Sequence, residues 1–437
     1  MKESLNNMDG QSRRKFMMNA AKSALGVSMV PMLGNNRVYG AANGGGKAEH
    51  CIFLYMAGGM THMDTFDPKP GTENGGKTAG IKTGVAGVEL AEFMPKLAAG
   101  FKDIALVRSM GLLTADHRGA SYQVHTAYSR KATIIHPTTG PWAQRLLGKK
   151  HDTLPDSVVI GGGGNHSGSG FMGPLLSPLP IGDPEKGIQN VKATVDEKAF
   201  TKRMKMIDTF DAGFQNRFKT KEVKAYSDFY DETLKLMKSE DLEVFDLTKE
   251  KQEKRAAYGM NRLGQGCLLA KRLVANGVRH VEVTYGGWDM HNDLWGAIPD
   301  RAGTVDTAVA TLIEDLKAEG LFDKTLIVLA SEFGRTPRIN ANGGRDHHAL
   351  CFSTMWAGGG IVGGQVYGKS DDKGVAPAEN PVNAFQHNAT IAHAMGMPLD
   401  KVIYAPSGRP FMVAGHKLDK KTKEMVPEAE PIMQLFS

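Results

Sequence analysis

TLIVLASEFGRTPRINANGGRDHH, residues 325–348, opens on the apolar run Leu326-Ile327-Val328-Leu329 and breaks at Ser331-Glu332. A Gly-containing excursion then sets Asp346, His347 and His348 side by side. A short continuous apolar run bounded by breakers reads as a strand buried on both faces. Open α/β sheets gather ligand sites at the C-terminal ends of such strands. The stretch therefore predicts an α/β protein whose site residues follow its strands.

The same pattern recurs outward from it. Ile52–Met56 reads as a central strand that breaks at Gly58-Gly59 into the loop holding His62 and Asp64. Ile104–Val107 is a second strand, ending at Arg108-Ser109, and Asp116 to Tyr128 suits a helix that brings up His117. Ser157–Ile160 is a third strand, closed by the glycines at 161–164. Arg279–Tyr285 alternates as a strand before Gly286-Gly287-Trp288-Asp289-Met290-His291. Helices are expected over 302–320 and 382–395, and 355–367 reads as a Gly-punctuated hairpin. Residues 195–276 are rich in Lys and Glu with helical periodicity, a helical layer or insertion over the sheet. Strand–helix–strand order predicts a mostly parallel central sheet with helices on both faces, a three-layer α/β sandwich.

The N-terminus reads as an address. Ser12-Arg13-Arg14-Lys15-Phe16-Met17 is a twin-arginine pattern, followed by a modestly apolar stretch to Leu33 and the small residues Gly40-Ala41-Ala42. Residues 1–42 are thus expected to be a signal for the Tat translocase and 43–437 the exported domain, placed in the periplasm. No other apolar run is long enough for a membrane span. The net charge is +6, and residues 1–41 carry six basic and two acidic residues, so the mature chain keeps only +2. No basic patch of the kind that grips nucleic acid remains. Cys51, Cys267 and Cys351 stand singly, which disfavours a thiolate metal site or a disulfide framework.

Candidate ligands now stand at four places: His62 with Asp64, Asp289 with His291, Glu332, and Asp346 with His347. Mixed imidazole and carboxylate donors suit Zn²⁺, Mn²⁺ or a similar divalent ion, bound singly or as a pair. Each doublet alone is more often a loop hydrogen bond than a ligand pair. Arg335, between Gly334 and Thr336, either binds a substrate anion or holds its own loop by a salt bridge. The glycines at 161–164 with the following Asn165-His166-Ser167-Gly168 either cradle an anion or form a turn. No G-x-S-x-G elbow or helix-opening G-x-G-x-x-G is found.

The segments GGMTHMDTFDPKP (58–70), YGMNRLGQGCLLAKRLVANGVRHVEVTYGGWDMH (258–291), SEFGRTP (331–337), GGRDHH (343–348) and HNATIAHAMGM (387–397) carry a family signature. On them the chain resembles the domain-of-unknown-function family 1501, over nearly all of the mature sequence. That family resembles the alkaline phosphatase and sulfatase superfamily. The resemblance implies an alkaline phosphatase-like fold and metal-dependent hydrolysis of phosphate or sulfate esters, with a small-molecule or glycan ester as substrate. It sets His117 near the position of the superfamily's nucleophile, as nucleophile or acid–base, with Arg335 steering the anion. It also sets Glu332-Phe333 where the superfamily keeps Asp-His, so one expected imidazole is replaced. A catalytically silent binding or scaffold protein that retains the fold is the rival reading.

Overall fold

Strand β1, His50–Met56, is buried along its whole length, and its side chains divide by parity. Ile52, Leu54 and Met56 enter one apolar cluster while Cys51, Phe53 and Tyr55 enter another. That is the period-two alternation of a strand between two covered faces. The computed structural model describes residues 46–162, 166–189, 191, 195, 196, 198–206, 209 and 232–437. The expected signal segment, Gly163-Gly164-Asn165 and the middle of the expected helical region lie outside these residues.

Seven further strands join β1: β2 (Ile104–Met110), β3 (Ser157–Ile160), β4 (Leu179–Ile181), β5 (His280–Tyr285), β6 (Thr325–Ala330), β7 (Phe352–Ala357) and β8 (Gln365–Tyr367). Their order across the sheet is β8-β2-β7-β6-β1-β5-β3-β4. All run parallel except β7, which pairs antiparallel with both β2 and β6. The expected hairpin over 355–367 does not form. Its two arms, β7 and β8, instead flank β2 on opposite sides. The Gly358-Gly359-Gly360 turn carries the chain past β2, each glycine at positive φ.

Five helices matter to the site: α1 (His117–Thr126), α2 (Thr139–Leu147), α3 (Arg262–Ala275), α4 (Leu294–Ala318) and α5 (Ala384–Ala394). Leu268 and Leu273 of α3 and Leu312 and Leu316 of α4 pack with Leu54, Val283 and Leu329. On the other face Val124 of α1, Trp142 of α2 and Ile391 of α5 pack with Phe53, Val328 and Trp356. Helix α4 begins eight residues before the expected start and passes through Pro299. Pro299 is the sixth helical residue, so it removes one intrahelical N–H donor early in a long helix. The result is a three-layer α/β sandwich with a mostly parallel sheet, as the strand pattern predicts. Among the described residues no helix is long and apolar enough to cross a membrane. All three cysteines are free and buried.

Candidate metal centre

The loop after β5 brings Asp289 and His291 to the C-terminal edge of the sheet, and the stretch after β6 brings Glu332, Arg335 and His347. A two-residue antiparallel pairing sets Arg335 opposite His347 and Gly334 opposite His348. This pairing folds the excursion 336–346 back on itself and returns His347 to the strand end. Asn340 pins the fold-back, donating to His291 O (2.9 Å) and Asp346 Oδ1 (3.1 Å). His117 arrives from α1, as its first residue. The Asp116 carboxylate accepts from Gly119 N at 2.7 Å and so caps the helix that presents it. Asp116 is thus a cap.

Three imidazoles are held by the same nitrogen. His117 Nδ1 bonds Glu332 Oε1 at 2.7 Å, His291 Nδ1 bonds Asp346 Oδ1 at 2.8 Å, and His347 Nδ1 bonds Ala115 O at 2.9 Å. Each acceptor receives a hydrogen bond from Nδ1–H, which in the neutral ring leaves the lone pair on Nε2. The three Nε2 atoms all face Asp289. His291 Nε2 and His347 Nε2 stand 3.0 and 3.2 Å from its Oδ1, and His117 Nε2 stands 3.4 Å from its Oδ2. Ligand atoms of His117, Asp289 and His347 lie within 4.8 Å of one another. His291 Nε2 and His347 Nε2 are only 3.1 Å apart. Two lone pairs that close repel unless a proton or a cation stands between them. His117 Nε2 is buried without a hydrogen-bond partner. Imidazoles fixed through the far nitrogen by carboxylate or carbonyl are the arrangement that outer partners give to metal ligands. The donor set therefore fits a divalent ion held by His117, His347 and Asp289, with His291 against the same carboxylate.

The carboxylates are tuned by these contacts. Burial pushes Asp289 up, but the Arg335 guanidinium and His347 outweigh it and bring it down to about 2. Burial likewise raises Glu332, and the bonds from His117 and Gly58 N overcome it, leaving it below the usual range. His117 is held above the ordinary imidazole value, first by its bond to Glu332. Both Glu332 and Asp289 therefore stay ionised at neutral pH.

Some expected site residues take other places. Asp64 is fully buried in a two-pronged pair with Arg345 (2.8 and 3.3 Å) and also accepts from Thr61 and Thr78. His62 bonds Gly374 O at 2.9 Å and stacks toward His348. The i, i+2 spacing of these two brings neither to Asp289, because the loop turns inward and Arg345 claims the carboxylate. Glu332 and Asp346 orient histidines rather than facing the ligand group directly. Arg335 does not stand free for an anion. It is fully buried and donates to Gly59 O, Gly58 O, Arg345 O and Asp289. Loop-holding, the other reading of this residue, is what the geometry gives. Gly58 and Gly59 make that grip possible: at φ +117° and +79°, a Cβ on them would meet Asp289 N at 2.6 Å and the Phe333 ring at 2.6 Å.

A cavity of about 320 Å³ opens beside this group. His117, Asp289 and Glu332 line one end, and Tyr55, His125, His166 and Glu282 line the other. Of the second set, only His166 enters the sequence reading, as part of the segment that either cradles an anion or turns. The signal of the set was present in β5, where His280, Glu282 and Thr284 interrupt at every second position a strand otherwise suited to full burial.

Solved structures similar to the chain include an alkaline phosphatase superfamily protein from Vibrio parahaemolyticus. It is 10% identical, with 97% of this chain and 92% of that one covered and a TM-score of 0.37. Another is the PsFucS1 sulfatase from Pseudoalteromonas sp. (12% identity, 80% and 68% covered, TM-score 0.36). A third is the lipoteichoic acid synthase LtaP from Listeria monocytogenes (11%, 87% and 78%, 0.36). At these scores the fold rests on the strand order described above and not on the likeness. No curated protein matches the sequence. The model of the family described as "Protein of unknown function (DUF1501)" matches residues 48–422, and the chain belongs to that family.

Proposed function

We propose that the chain is an exported, metal-dependent hydrolase of phosphate or sulfate esters. The observation that carries this is the convergence of His117, His291 and His347 Nε2 on Asp289, with every Nδ1 tied outward. A divalent ion at those atoms, zinc or manganese by donor type, supplies Lewis-acid stabilisation of the charge that builds on phosphoryl or sulfuryl oxygens. Glu332, Asp346 and Ala115 O hold the imidazoles in one tautomer. Arg335 holds Asp289 and, by gripping Gly58 O and Gly59 O, fixes the loop after β1 against it. The cavity beside the group gives the ester's alcohol portion a place. A small-molecule or glycan ester suits its size. Export by the twin-arginine route is the matching proposal from the N-terminal sequence.

Metal analysis of the folded protein is the test. We expect at least one divalent ion per chain, lost on Asp289→Asn, and turnover of an aryl phosphate or aryl sulfate that a chelator abolishes. A folded protein without stoichiometric metal sinks the hydrolase reading and leaves the silent scaffold. Metal without turnover of either ester sinks it too.

A further inference from the structure

The cavity beside the metal centre offers an anion few cations. Asp289 and Glu332 line the end at the centre, and Glu282 lines the other. Among the described residues no lysine or arginine lines it. Gly163-Gly164-Asn165, which follow the lining residue Gly162 in the sequence, are uncharged. The guanidinium groups around the centre are committed. Arg335 donates to three backbone carbonyls and to Asp289. Arg345, also fully buried, holds Asp64 and donates to Thr336 O, Pro337 O and Asn74 O. Turning either toward an anion would strand buried acceptors. Arg301 of α4 donates to Gly286 O and lies over the Tyr285 ring, which packs on the α3–α4 side of β5.

The carboxylates hold their charge through their contacts. Glu332 accepts from Tyr55 OH, Gly58 N and Ser331 OH as well as from His117. Glu282 is buried between His125 Nε2 at 3.4 Å and His166 Nε2 at 3.2 Å. Gly168 N–H donates to His166 Nδ1 at 3.1 Å, so this ring is neutral and turns its Nε2–H on Glu282. Burial raises Glu282, and the two imidazoles outweigh it and hold it well below the usual carboxylate range. Among the described residues one ligand group is found, enough for one ion. A divalent ion and Arg335 carry three positive charges, and Asp289, Glu332 and Glu282 carry three negative ones, while His291 pairs with Asp346. A proton on His125 adds at most one positive charge. One negative charge completes this balance, and two exceed it.

We propose that the cavity takes tetrahedral esters bearing a single negative charge, sulfate monoesters or phosphate diesters, and discriminates against the dianions of phosphate monoesters. This rests on the hydrolase reading and names its substrate class. A phosphate monoester loses its second proton at about pH 6, so in neutral solution it brings two charges. The second meets Glu282 and Glu332 with no cation to offset it. At an effective dielectric constant of about 20, an unmatched charge several ångströms from a carboxylate shifts binding by about tenfold or more. The field needs no contact, so the burial of Glu282 does not remove it. The hydroxyls of Ser121 and Thr284 in the lining are neutral and bond ester oxygens of either charge alike.

Calorimetry on the metal-loaded protein separates charge from chemistry. At about pH 8 methyl sulfate and dimethyl phosphate are monoanions and methyl phosphate is a dianion. The two monoanions should bind about tenfold or more tighter than the dianion. Ala57 is a half-buried lining residue with no polar side-chain contact to lose, so Ala57→Lys adds a cation to the wall. That variant, with metal content unchanged, should bring methyl phosphate to within about threefold of methyl sulfate. Ala57→Met, of similar length, should leave the ratio as it was. Turnover gives the second arm, with kcat/KM taken relative to the uncatalysed rate. 4-Nitrophenyl sulfate or methyl 4-nitrophenyl phosphate should exceed 4-nitrophenyl phosphate, and the faster of the two tells sulfate from phosphate diester. Tighter binding or greater acceleration of the dianion, or a ratio that Ala57→Lys does not move, overturns the charge selection and leaves the hydrolase reading standing. Turnover of none of the three esters overturns both.

Discussion

The two faces of the sheet are made from the same strands and do opposite work. Toward α3 and α4, β1, β5 and β6 present Ile52, Leu54, Val281, Val283, Ile327 and Leu329, a wholly apolar surface. Toward α1, α2 and α5, β5 presents His280, Glu282 and Thr284, met by His125, His166 and His387 from the covering elements. Apolar contacts need only volume and so close completely. Buried polar groups need partners of the right geometry, and where these fall short a cavity remains. The buried polar groups and the cavity collect on one face, beside an apolar cluster of its own, while the strands named above are apolar throughout on the other.

The comparison breaks most sharply through the apolar face. Leu54 is fully buried between α3 and α4, so Leu54→Ala should cost about 2–5 kcal/mol, by lost transfer energy and a residual void. Denaturant unfolding should show that fall while the folded fraction keeps its metal. A matching loss of metal would mean that the two faces are not separable. Glu332→Gln acts on the polar side. It keeps volume but replaces the charge that orders His117 Nδ1, so metal affinity should drop by about 10–100-fold. Stability should move less, by about 1–3 kcal/mol. Competition with a chelator of known affinity measures the first effect, and unaltered affinity would remove Glu332 from the centre.

This division also explains what the sequence reveals. Strands β1, β3, β5 and β6 are legible because full burial writes itself as short apolar runs, and the ligands Asp289, His291 and His347 follow from their place after strands. Strand β7 is misread because Gly358 to Gly360 mimic a hairpin turn, and pairing partners are not local information. Asp64 looks like a ligand and is a structural anion, since only the fold shows Arg345 arriving from 281 residues away. Arg335 likewise looks free until the backbone carbonyls of Gly58 and Gly59 meet it. His125 and His166 carry no local signal. Their partner is one glutamate in the middle of a strand, and its meaning comes from what crosses the sheet.

The finest contrast lies within the polar face, between a histidine with a carboxylate and one without. His125 has Glu282, whereas His387 of α5 is fully buried between Phe53 and Trp356 with neither ring nitrogen bonded. Burial brings His387 down to about 3. The unfolded chain binds a proton here below about pH 6.5, and the folded chain does so only near 3. Stability from the neutral ring is therefore complete above about pH 6.5 and is lost as pH falls toward 3. His125 has the opposite sign: its raised value favours folding at pH below about 6.5 and that gain is lost as pH rises through its folded value. His387→Phe keeps an aromatic ring in an apolar slot, so at pH 7.5 stability should change by less than about 1.5 kcal/mol. At pH 5 the variant should gain roughly 2 kcal/mol relative to the unmutated chain, because its ring never has to stay unprotonated. Unfolding midpoints across this range test it. Parallel pH profiles for the two proteins would mean that His387 finds a proton acceptor in solution, and that the polar face is more fully paired than its contacts indicate.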